Sequence, residues 1–146
     1  MKNVIISIFG LQNLNGDASD DVEFVTDGFY SFHDGIAEFS YLESELTGME
    51  GTRTQFTASP GEVIITRDGS VSMQMTFREG QKHYFMYETP FGAITMGVDT
   101  MSILQSMGEN GGKLEVKYMI DMERSVVSRN QFRINIREAQ GNDQSD

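Results

Sequence analysis

Two glutamates two residues apart, Glu43 and Glu45, are the pair in this sequence best spaced for acid–base chemistry. On a β-strand they lie on one face, about 7 Å apart, together with Phe39 and Tyr41. If that face points inward, burial disfavours the charged carboxylate and raises at least one pKa. A carboxyl group in that state is a general acid of the kind glycosidases use. The hydrolase-like reading needs Glu43 buried and open to a cleft. It fails if Glu43 is exposed or locked against a basic residue such as Arg67, and in the plainer reading Glu45 is a solvated rim residue.

Arg67 follows the apolar run Val63-Ile64-Ile65 and precedes Asp68-Gly69. A guanidinium there could hold a ligand carboxylate or phosphate through two parallel hydrogen bonds; the plainer alternative is an ion pair with Glu43 or Glu88. His83, Phe85 and Tyr87 alternate on one strand face, where the imidazole is either a ligand donor or a satisfied wall residue. With only His33 and His83 in the chain, no histidine-based metal motif can be written, and the absence of cysteine excludes disulfides and thiolate zinc sites. The segment Asn13–Asp21 alternates oxygen donors, but no glutamate closes it at the twelfth position of a calcium loop, so it reads as a polar turn. Phosphate-loop, dinucleotide and nucleophile-elbow motifs are also missing, and no cofactor is implied.

Ten methionines in 146 residues is a high count. Met73, Met75, Met96 and Met122 fall on one side of their strands, and thioether side chains fill irregular space or adapt to varied apolar ligands. Met73, Met75, Phe77, Phe85 and Tyr87 are the candidate lining of a cavity. Met49 and Phe91 are apolar residues within loops, the first beside Glu50 and the second just after Thr89-Pro90. Either they cap one mouth or plug it, or Met49, Glu50, Thr89 and Phe91 form a contact patch for a partner.

The elements that must position these groups are strands. Leu114, Val116, Tyr118, Ile120 and Met122 alternate with mostly polar residues, as do Phe132, Ile134 and Ile136, and Val71, Met73, Met75 and Phe77. Period two with one apolar side is the pattern of antiparallel strands with one face in the core. Turn signals such as Asp34-Gly35, Pro60-Gly61, Asp68-Gly69 and Glu79-Gly80 separate the runs. The spacing predicts strands over residues 3–10, 21–32, 36–46, 52–58, 62–67, 70–78, 82–89, 92–99, 101–107, 113–123 and 126–138. The charge-free run from Thr100 to Met107 is the best helical candidate, and a strand is preferred there too. A meander this long curls and closes because closure removes exposed edges. The fold class is all-β, an up-and-down barrel of about eight to ten strands.

The size fits a single domain over residues 1–138, with a polar, flexible tail at 139–146. The formal net charge is −11, from 22 acidic and 11 basic side chains. Such a surface repels nucleic acid and anionic membranes, so neither is expected as a partner. The apolar stretch within Met1–Gly10 is short for a signal peptide or a membrane span and reads as the first strand. With no cysteine, a reducing cytoplasm is the expected location, and the protein is expected to be a monomer or homodimer.

The strings Glu43–Thr52 (ESELTGMEGT), Arg67–Met73 (RDGSVSM), His83 with Tyr87–Gly92 (YETPFG), and Val127–Asn130 (VSRN) together resemble the DUF1934 family, the YwiB-like proteins of Gram-positive bacteria. The resemblance extends over about residues 2–138. It implies a calycin-like, lipocalin-related β-barrel and no assigned activity. The leading expectation is a non-enzymatic barrel that takes a small apolar or amphipathic molecule through one mouth. Its candidate lining is Tyr41, Glu43, Arg67, Met73, Met75, His83, Phe85 and Tyr87. An interaction barrel with a filled interior is the alternative, and an enzyme using Glu43 comes third. A continuous lumen of a few hundred cubic ångströms separates the first two.

Overall fold

The alternating runs form ten antiparallel strands in the computed structural model, which describes residues 1–14, 19–45, 49–69, 72–89, 91–122 and 125–139. They are β1 (Lys2–Leu14), β2 (Ser19–His33), β3 (Ile36–Leu42), β4 (Arg53–Ser59), β5 (Glu62–Asp68), β6 (Met73–Arg78), β7 (Lys82–Thr89), β8 (Gly92–Gly108), β9 (Gly111–Met122) and β10 (Ser125–Glu138). The sheet order is β6-β5-β4-β3-β2-β1-β10-β9-β8-β7. The first and last strands are therefore neighbours, in register from Val4↔Glu138 to Leu14↔Ser128. The sheet curls into a nearly closed barrel, and the remaining seam lies between β6 and β7, which share no ladder.

A tight turn spans that seam, with Gln81 N–H donating to Arg78 O at 3.0 Å. The turn is tied to β8 instead, through Gly80 N–H to Thr100 O and Thr100 N–H to Gln81 O. The ladder of β8 with β9 shifts register between Thr100 and Ser102, and Glu79 accepts the backbone N–H of Ile103 at 2.7 Å. An irregularity in a strand leaves backbone groups unpaired, and here the β6–β7 turn satisfies some of them. This corrects the sequence expectation of two strands at 92–99 and 101–107: the chain bends at residues 100–102 but continues as one strand.

The β2–β3 hairpin closes through Asp34 and Gly35, with φ of 53° and 79°. Two successive left-handed residues match the twist of a two-residue hairpin, which explains the Asp-Gly pair. Within β2, Gly28 has no room for a side chain, because a Cβ there would lie 2.6 Å from Ser40 O and collide with Ile6. The strand expected to reach residue 46 ends at Leu42, so Glu43 and Glu45 do not share a strand face. The donor-rich segment Asn13–Asp21 is largely ladder, with Asn13 opposite Ser19, and residues 15–18 lie outside the described residues. Residues 140–146, most of the expected tail, also lie outside them. Among the described residues no helix is long and apolar enough to cross a membrane.

Register stacks the inward side chains of β3 to β6 into rows across the sheet. Ala37, Ala58, Val63 and Phe77 form one row, and Phe39, Phe56, Ile65 and Met75 the next. Tyr41, Thr54, Arg67 and Met73 form the third. The first row is fully buried and packs with Val4, Ile6, Tyr30, Val98, Leu114 and Val116. Tyr30 crosses this end and donates its hydroxyl to Gly108 O at 2.5 Å. Phe39 stacks on Phe56 at 4.7 Å between ring centroids, and Phe77 meets Tyr118 edge-on at 4.9 Å. This end of the barrel is a closed, aromatic-rich floor.

Candidate functional site

Above the floor the lumen opens into a cavity of about 720 Å³. Its deep wall is apolar: Ile8, Phe56, Ile65, Met75, Phe85 and Phe132. Nearer the mouth stand Tyr41, Glu43, Arg67, Met73 and Tyr87, with Met49 from the β3–β4 connection and Asp21 and Val22 from β2. The volume lies within the range of small-molecule sites, and so does the pattern of a few polar groups on an apolar lining.

The polar groups come from one row and its continuation. Tyr41, Thr54 and Arg67 are register partners on β3, β4 and β5, and Glu43 follows just beyond the end of β3. Backbone bonds hold that continuation in place: Glu43 N–H donates to Thr52 O at 2.8 Å, and Gly51 N–H to Glu43 O at 3.4 Å. The Glu43 side chain is 1% exposed. Thr54 donates its hydroxyl to Glu43 Oε2 at 2.5 Å, and Arg67 Nε lies 3.8 Å from the same oxygen and 3.4 Å from Thr54 Oγ1. Burial of an ion needs compensating partners, and the threonine hydroxyl and the guanidinium supply them.

Two phenols in the lumen have raised pKa values, chiefly through burial. Burial pushes Tyr41 well above its ordinary value, the Glu43 charge adds to the shift, and the Arg67 charge opposes it. Burial pushes Tyr118 up to about 12, against a smaller opposing pull from Arg67. Both phenols therefore stay protonated at neutral pH and act as neutral hydrogen-bonding groups.

Of the eight candidate residues named from the sequence, seven border this cavity: Tyr41, Glu43, Arg67, Met73, Met75, Phe85 and Tyr87. His83 does not reach it. It shares the inward side of β7 with Phe85 and Tyr87, but it is paired with the fully buried Val98, one step deeper than the Phe85–Met96 pair. At that depth packed side chains replace the cavity. Its Nδ1 is buried with no hydrogen-bond partner among the described residues.

The expected acid pair separates as well. Glu45 is exposed, while Glu43 is buried, reaches the cavity and is held by Thr54 and Arg67. A carboxylate that receives these donors stabilises the wall, and the geometry gives the general-acid reading no support. In the loops, Met49 belongs to the cavity and Glu50 is exposed. Phe91 is 98% exposed and does not line the cavity, so it does not plug the mouth together with Met49. The side chain of Thr89 lies outside the described residues. No group of three or more His, Cys, Asp or Glu able to hold a metal occurs among the described residues.

Thr54 was missed by inspection of the sequence although it is fully buried. The available signal was phase: Thr52 and Thr54 alternate in step with Phe56 and Ala58, so all four point inward. Phe132 from β10 and Met96 from β8 complete the wall, and both follow from their alternation.

The model of a domain of unknown function, DUF1934, matches residues 6–134. The uncharacterised β-barrel protein YwiB of Bacillus subtilis is 31% identical over 97 residues, covering 66% of this chain and 67% of YwiB. The crystal structure of the ywiB protein from Bacillus subtilis superposes with a TM-score of 0.83 at 22% identity, over 94% of this chain and 92% of that one. With the family model spanning nearly all of the barrel, this chain belongs to the DUF1934 family.

Proposed function

We propose that this protein is a binding barrel whose lumen takes a small amphipathic molecule through the mouth ringed by Met49, Tyr87 and Asp21. The observation that carries the reading is the cavity of about 720 Å³, apolar in depth and polar along one side. A filled core would not leave such a space, because packed interiors contain few voids larger than a water molecule. The interior therefore speaks against a purely structural barrel. The calycin-like resemblance points the same way as a fold analogy, and the carboxylate Glu43, held by Thr54 and Arg67, favours binding over hydrolysis. Met73, Met75 and Met96 give the lining the adaptability that an apolar guest of variable shape needs.

The test is titration with a neutral naphthylamine fluorophore. Saturable binding of one fluorophore per chain is expected, weakened at least tenfold in Met96→Trp, which fills the lumen. Leu104→Ser, an exposed change on the outer face, should leave binding unchanged. Non-saturable binding, or equal binding by Met96→Trp, overturns the proposal.

A further inference from the structure

We infer that the lumen selects guests with a terminal carboxylate, seated on the outer edge of the Arg67 guanidinium with the apolar chain running down to the floor. This rests on the binding-barrel reading and deepens it.

Among the described residues, three charged side chains line the cavity: Asp21, Glu43 and Arg67. Asp21 stands at the mouth, exposed, where solvent and salt screen it. Glu43 is closed to a guest, with its side chain 1% exposed and its Oε2 accepting from Thr54. Arg67 is different: its side chain is 22% exposed, and its nearest carboxylate oxygen is 3.8 Å away. Its hydrogen bond, through Nε to Thr54, is long at 3.4 Å. Arg67 also meets the side chain of Tyr41. A guanidinium has five N–H donors, more than these two hydroxyl partners use, and a partly exposed one matches a carboxylate through two parallel bonds. A guest therefore meets one accessible cation, flanked by Tyr41 and Tyr118, two phenols that carry no charge at neutral pH.

The rows set the length of the tail. From the Arg67 row the wall descends through Ile65, Phe56 and Met75 to Val63, Ala58 and Phe77, all buried. Four residues along a strand span about 13 Å, and the Val63–Phe77 row closes the path. A straight alkyl chain of medium length fits between the guanidinium and this floor.

Displacement of the naphthylamine fluorophore by decanoate, decanol and decylamine at neutral pH tests the inference. Decanoate is expected to compete at least tenfold better than decanol and better still than decylamine. In Arg67→Gln the advantage of decanoate over decanol should vanish while decanol competes as before, which shows that the variant is folded and the lumen intact. Equal competition by decanoate and decanol in the native protein, or preference for decylamine, overturns the head-group assignment and leaves the lumen reading standing. Failure of the fluorophore itself to bind removes the lumen reading and this inference together.

Discussion

The two ends of the barrel are built from the same strands and differ in what fills them. At the floor, the row of Ala37, Ala58, Val63 and Phe77 is fully buried, and Tyr30 ties the end shut through Gly108. Two rows away, Tyr41, Arg67 and Met73 face a cavity, with Thr54 buried in the same row. The floor combines small alanines on β3 and β4 with large aromatics, Phe32 opposite Ala37 on β2 and Phe77 in the same row on β6, and such alternation lets a curved wall interdigitate. The mouth row has no small–large complementarity of this kind. It carries groups that need hydrogen-bond partners, and these cannot pack as apolar side chains do. Close packing and open space therefore concentrate at opposite ends.

Truncation on the two sides should break or sharpen this contrast. Phe77→Ala removes a ring fully enclosed by neighbours, including Tyr118 and Phe132. It should cost about 3–5 kcal/mol by urea unfolding. Met73→Ala, on a side chain that already borders the cavity, should cost less than about 1.5 kcal/mol on the same scale, since little new void is created. Comparable costs for the two would mean that the ends are packed alike.

Thr54→Val tests the polar row itself. It keeps the volume but removes the hydroxyl donated to buried Glu43, so an unmet acceptor should cost about 1–3 kcal/mol. A neutral result in denaturant titration would show that the other partners of Glu43, Arg67 and Tyr41 among them, suffice. At the floor, Tyr30→Phe loses the bond to Gly108 O and should cost about 1 kcal/mol. Packing should hold that end nearly as firmly without the bond.

The smallest effect concerns alkaline pH. Tyr118 has its folded pKa raised from 10.0 to about 12, so the unfolded chain releases the proton first. The resulting stability is complete below the unfolded value and is lost as pH rises through about 12. Tyr30 and Tyr41 shift in the same direction. Stability measured by urea titration should fall across this window and fall less steeply in Tyr118→Phe. An identical slope in the variant would remove Tyr118 from the account.

Much of this architecture was legible in the residues. Period-two alternation in Leu114–Met122 and Phe132–Ile136 marked strands and their inward sides, and Asp34-Gly35 marked a hairpin that needs two left-handed residues. The break expected at residue 100 was a real irregularity, but the strand runs through it because the β6–β7 turn, from elsewhere in the chain, supplies partners. Glu43 was singled out on the premise that it shared a strand face with Glu45. It is instead buried from an irregular segment that the Thr52 carbonyl holds.

By itself the sequence determined which residues alternate, where the chain must turn, and that Arg67 lies at a strand end. Those are local properties, set by pleat geometry and backbone sterics. Only the tertiary structure decided that β1 closes on β10, that His83 falls below the cavity while Met49 reaches it, and that the two ends are filled differently. Register and curvature set these features, and both depend on strands distant in sequence.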